Sequence, residues 1–186
     1  LGITQPWQAQ ASNAASSTSS GTNDEFGYQG QASYSWTGDF AGKAWVGFFS
    51  QNVENLSGGG NDTADSYEAG VSATVMNINL VAYGYSGEGI GTTALLLNGY
   101  DDGGNARDSD GGYVQATYVI PTGTKLGISY GQSKLDANAA DSDALGQVLV
   151  KENEMLTIGA YHPLTKHLNL VAEFSAVEAS SYDPTI

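Results

Sequence analysis

The chain has 186 residues, with 20 acids against 6 bases, a formal net charge of −14, 25 Gly, 11 Tyr and no Cys. Charged residues make up 14%, against roughly 25% in an ordinary soluble domain, and glycine stands at nearly twice its usual roughly 7%. So few bases cannot neutralise a row of phosphates, which excludes nucleic acid. The missing cysteine excludes disulfides, thiol chemistry and Cys-ligated zinc. The aromatics argue against disorder, and no apolar run reaches the length of a membrane helix. Leu1 shows no signal-peptide pattern and reads as a processed end or a point inside a longer chain.

Residues 1–25 read as a polar loop or arm, since Gln8 to Glu25 is Ser/Ala/Asn/Thr/Gly without period. Strict alternation follows. Phe26, Tyr28, Ala32, Tyr34 and Trp36 fall on one face, and Gln29, Gln31, Ser33 and Ser35 on the other. A period of two predicts a β-strand with one apolar and one polar side. After Gly38-Asp39 a second, less regular strand runs from Gly42 to Gln51. Further strands are expected over Ser66–Val75, Ile78–Tyr85, Val114–Ile120, Lys125–Gly131 and Asn153–His162. The last carries Leu168, Leu170, Ala172, Phe174 and Ala176 against His167, Asn169, Glu173 and Ser175.

Short connections near Gly38, Asn77, Thr122 and Leu164 alternate with long ones over Asn52–Asp65, Ser86–Gly111 and Lys134–Lys151. That is the sequence of an antiparallel up-and-down meander. A soluble sandwich and a membrane barrel share the period of two. Three features favour the barrel. The strands run about ten residues, enough to cross a bilayer at a tilt, whereas soluble strands average ~5–6. Aromatics crowd the expected strand ends: Phe26, Tyr28, Trp36, Phe40, Tyr67, Tyr85, Tyr113, Tyr118, Tyr130, Tyr161 and Phe174. Long loops opposite short turns complete the pattern.

The expected fold is therefore all-β, an antiparallel up-and-down transmembrane β-barrel, with about eight strands present over 26–179 and a loop starting at 180–186. Both ends of this meander fall on the long-loop side, the reverse of a complete barrel. The chain therefore reads as a section of a larger one.

Asp108-Ser109-Asp110-Gly111-Gly112-Tyr113-Val114-Gln115-Ala116-Thr117-Tyr118, Thr124-Lys125-Leu126-Gly127-Ile128-Ser129-Tyr130-Gly131 and Leu168-Asn169-Leu170-Val171-Ala172-Glu173-Phe174 resemble strands of the Gram-negative general porins. The resemblance runs from about Phe26 to Ala179. It implies a sixteen-stranded, trimeric, water-filled diffusion pore, with outer-membrane lipid and lipopolysaccharide as surroundings, extracellular loops and no cofactor. The family's closing strand with a C-terminal aromatic is absent. Its inward-folded constriction loop belongs to the N-terminal half and is expected to lie outside this sequence.

No catalytic constellation is present, so no enzyme is expected. Gly87-Glu88-Gly89-Ile90-Gly91 does not fit a phosphate-binding glycine loop. His162 and His167 lack a third metal ligand. Asp101, Asp102, Asp108 and Asp110 are weak metal candidates on a loop, where divalent ions would bridge to lipopolysaccharide phosphates. Arg107 is expected in a surface ion pair. The pore-lining candidates are Gln29, Gln31, Ser33, Glu68, Lys125, His167 and Glu173, since charges on a pore wall set ion preference. The acid excess predicts a mild preference for cations. The rival expectations are a small structural or adhesive outer-membrane barrel and a secreted carbohydrate-binding β-sandwich using Trp36 and Trp45.

Overall fold

The computed structural model describes residues 1–5, 11–13, 16–18, 25–54, 56, 60–92, 97–101, 104–138, 141 and 149–182. Eight long antiparallel strands are present: β4 (Gly27–Trp36), β5 (Ala41–Val53), β6 (Asp62–Val75), β7 (Ile78–Glu88), β8 (Asp108–Val119), β9 (Lys125–Leu135), β10 (Val150–Pro163) and β11 (Asn169–Ser181). A short β1 (Gly2–Thr4) pairs with β4, and β2 (Ala11–Asn13) pairs with β3 (Ser16–Thr18) in a separate ribbon. The main sheet has the order β1-β4-β5-β6-β7-β8-β9-β10-β11. Every neighbour in it except β1 is also the next strand in sequence. The sheet is open, with β1 and β11 as its edges.

All eight expected long strands are present, and most extend beyond their expected bounds. The long strands measure 10 to 14 residues. The backbone ladder continues past the alternating segment, because hydrogen bonding does not need amphipathic side chains. Three boundaries differ from the sequence reading. Gly2–Thr4 is a strand because β4 offers it a partner, and three residues are too few to show a period. Asp108 and Asp110 belong to β8, not to a loop, and Ser180 and Ser181 still belong to β11. Asp183-Pro184-Thr185-Ile186 lies outside the described residues.

Register fixes the two faces. On one, successive rows across the sheet read Gln31, Gly47, Glu68, Tyr85, Gly111, Ser133, Asn153, and Ser35, Lys43, Ser72, Val81, Gln115, Ser129, Thr157, Ser175. On the other, a row reads Tyr34, Ala44, Val71, Ala82, Val114, Tyr130, Leu156, Ala176, and the next Trp36, Gly42, Ala73, Leu80, Ala116, Ile128, Ile158, Phe174. This second face is apolar across the sheet and uncovered: Val46, Leu80, Val114, Ile128, Ile158 and Phe174 are all exposed. Toward the long-loop end it gives way to Asp110, Lys134, Glu152 and Glu178.

The buried hydrophobic cluster sits at the long-loop end of the polar face. Val53 and Ala64, on β5 and β6, pack with Leu56, Ile90 and Tyr100 from the connecting segments. Phe49, Tyr85 and Ala106 back this cluster. Ile90 and Tyr100 of the β7–β8 connection therefore pack onto the polar face of the sheet. Close backbone approach makes this possible: a Cβ on Gly91 would stand 2.0 Å from the Leu97 carbonyl oxygen, and one on Gly99 2.0 Å from that of Gly89.

Candidate functional site

On the polar face, glycines let larger side chains lie down on the sheet. A Cβ on Gly47 would meet the Glu68 Oε1 at 2.7 Å, and one on Gly70 would meet the Trp45 ring at 2.1 Å. Glu68 is fixed from both sides. Gln31 Nε2 donates to its Oε1 at 2.9 Å and the Tyr83 hydroxyl to its Oε2 at 2.9 Å. Both carboxylate oxygens are thus engaged by neutral donors, Tyr83 on the adjacent β7 and Gln31 on β4, one strand further across the sheet, which holds the charge in place. Tyr85 extends the set through a 2.7 Å hydrogen bond with Ser133 Oγ.

Gln29, Gln31 and Glu68 share a cleft of about 760 Å³ with Phe49, Ser66, Tyr83 and Tyr85. Ile90, Gly91 and Thr92 of the β7–β8 connection close one side of it. Ser33 lies on the same face, opposite Trp45. Lys125 and Glu173 are brought together at the short-turn end by Tyr161. Lys125 Nζ sits 5.0 Å from the Tyr161 ring centroid, and the Tyr161 hydroxyl donates to Glu173 Oε1. His167 does not join them. It lies in the turn between β10 and β11, where its backbone N–H donates to Thr165 Oγ1 at 3.2 Å, so the expected strand position is corrected. The turn claims residues 164–168 because Leu164 and Thr165 N–H both bond back to the Leu168 carbonyl.

Asp101, Asp108 and Asp110 do not converge. Asp101 is buried and accepts from Asn105 N at 2.8 Å and from Asn105 Nδ2 at 2.9 Å, which makes it a turn-forming residue. Asp108 and Asp110 stand on β8, opposite Glu88 and Ser86. Asp102 lies outside the described residues. Among the described residues no three His, Asp or Glu side chains come together to hold a metal. Arg107 is also corrected. Its side chain is 2% exposed and pairs with Asp141 of the β9–β10 segment, while Nη1 donates to the carbonyls of Asn98 and Tyr100. Near this pair, burial and the carboxylates of Asp62, Glu88 and Asp65 push the Tyr100 hydroxyl well above its ordinary value.

Sequence reasoning missed the aromatic side chains of the polar face. Tyr85, Tyr113 and Tyr161, expected in a lipid-side girdle, lie on the polar face with Tyr83, Trp45 and Phe49. In Ile78-Asn79-Leu80-Val81-Ala82-Tyr83-Gly84-Tyr85 both faces are largely apolar, so period two does not say which side is which. Only the pairing of Tyr83 with Gly70 and of Tyr85 with Glu68 assigns them. No protein-family model, curated protein or solved structure matches the chain.

Proposed function

We propose that this chain is the wall of a water-filled outer-membrane channel for passive diffusion of small hydrophilic solutes and ions. One observation carries the reading: an eight-stranded apolar face on which none of the described residues pack, back to back with a face of Gln, Ser, Thr, Tyr and Glu. Soluble monomers rarely expose contiguous apolar patches beyond a few hundred Å². In a sandwich the apolar face would meet a second sheet about 10 Å away. Lipid against that face removes the cost of exposing it, and water against the other keeps its polar groups solvated. Chain order supports the reading, because sequential hairpins insert as an up-and-down barrel wall.

In this reading the sheet is part of a barrel of the general-porin kind, trimeric and embedded among lipopolysaccharides, with the long segments extracellular. Ile90, Gly91 and Thr92 narrow the lumen beside Gln29, Gln31 and Glu68. Glu68 is a fixed negative charge at that narrowing, and with the −14 net charge it favours cations. Lys125, Tyr161 and Glu173 flank the periplasmic mouth. The structural or adhesive barrel remains the rival reading, with no specific observation in its favour.

The test is conductance of the purified chain in planar bilayers. Stepwise openings with a cation-selective reversal potential under a salt gradient are expected. A chain that stays soluble without detergent and opens no steps overturns the reading.

A further inference from the structure

Three tyrosines meet on the polar face beside the cleft. Tyr83 and Tyr113 have ring centroids 5.4 Å apart at 34°, and Tyr83 and Tyr85 6.4 Å apart at 38°. Tyr85 lies down over Gly111, where a Cβ would stand 2.7 Å from its Cε1. Tyr113 is 40% exposed, and Tyr83 and Tyr85 are half-buried. Two clefts flank the group, of about 760 and 500 Å³, and both are lined by Tyr83, Tyr85 and Thr92. Neither lining includes Lys or Arg. The nearby Lys43 holds its amino group over Trp45, 5.8 Å from the ring centroid.

We propose that Tyr83, Tyr85 and Tyr113 form a stacking platform for neutral saccharides, a deepening that rests on the channel reading above. A pyranose ring has an apolar C–H face and a rim of hydroxyls. The negative face of an aromatic ring attracts those C–H groups. Around the platform, Gln29, Gln31 and Ser66 on one side and Ser133 and Asn153 on the other supply donors and acceptors for the rim. An apolar base with a few placed polar groups is the usual form of a small-molecule site. Charge narrows the class. A phosphorylated or carboxylated solute would find the Glu68 carboxylate and no Lys or Arg side chain in either lining.

The test titrates the full chain in detergent with maltotriose, following the emission of Trp45 in a Trp7→Phe, Trp36→Phe background. Trp45 lies over Gly70, the cross-strand neighbour of Tyr83, and so reports on the platform. Saturable change is expected with maltotriose and not with glucose 6-phosphate. Tyr113→Ala is expected to weaken binding about tenfold, in line with the loss of one stacked face, and Tyr113→Phe to stay within about twofold of the parent. If Tyr113→Ala does not fold, as read by circular dichroism, the maltotriose, glucose 6-phosphate and adenosine titrations of the parent chain decide. No saturable change, an equal response to glucose 6-phosphate or adenosine, or indifference to Tyr113→Ala in a folded chain overturns the proposal. The titration needs no conduction. A chain that conducts without binding maltotriose loses only this site, whereas one that binds maltotriose without conducting keeps it and loses the channel reading.

Discussion

Arg107 and Asp141, 34 residues apart, form a bidentate ion pair in which the Arg107 Nε donates to Asp141 Oδ2 at 2.8 Å. The pair ties the β7–β8 segment to the β9–β10 segment. Because the guanidinium is nearly fully buried and also satisfies the carbonyls of Asn98 and Tyr100, removing it orphans several groups at once. Breaking a buried pair by deleting one partner costs about 3–5 kcal/mol. Arg107→Ala should therefore expose residues 97–101 and 104–107 to rapid hydrogen exchange while the exchange of β9–β11 stays slow. Unchanged protection of the segment would show that packing of Tyr100 and Ile90 suffices without the pair.

Tyr100 adds an alkaline dependence. Its hydroxyl is held protonated in the folded segment by burial and by the surrounding carboxylates. A raised folded value means that this contribution is fully present below the ordinary tyrosine value of about 10 and is lost as pH rises above it. The lost protection should grow by about 1.4 kcal/mol per pH unit over that window. Subtracting the same pH series for Tyr100→Phe, which cannot ionise, isolates the effect. Parallel curves for the two chains would refute it.

Glu68 is the charge on which the selectivity reading turns. Glu68→Gln keeps an acceptor for Tyr83 and removes the charge, so the reversal potential under a salt gradient should move toward zero with little change in conductance. A shift of equal size from Glu173→Gln would place the controlling charge at the short-turn end instead.

Gly47 holds the same carboxylate down. Gly47→Ala would put a methyl 2.7 Å from Glu68 Oε1, a clash that the flexible side chain relieves by swinging away. The strand should fold, while the Gln31–Glu68–Tyr83 hydrogen bonds are lost. The reversal potential should then change without the charge having been removed. Retention of the parent selectivity would mean that the geometry of Glu68 does not matter.

The two faces also predict opposite responses to one substitution. Ile128 and Ser129 are adjacent on β9, the first on the apolar face and the second on the polar one. In a lipid-embedded wall, Ile128→Arg should cost about 2–4 kcal/mol. Ser129→Arg, in a wetted lumen, should cost within about 0.5 kcal/mol. Folding midpoints in vesicles measure both, and equal costs would remove the case for lipid on the Ile128 face.

How much of this was legible in the sequence depends on the side-chain period. Where one face is apolar and the other polar, as in Tyr28–Trp36 or Tyr67–Val75, alternation alone determined strand, face and hairpin order, because a half-buried strand has a period of two. The tertiary structure decided what alternation does not carry. Gln31 and Glu68 stand 37 residues apart and meet because β5 lies between them in register, with a glycine at Gly47 to let Glu68 lie flat. Arg107 looked like a loop residue in an acidic run, and its burial came from Asp141, a partner no local pattern marks. The tyrosines of the polar face followed the same rule. Their spacing of two was visible, but only strand pairing could say toward which face it points, since a one-residue shift of register reverses every side chain.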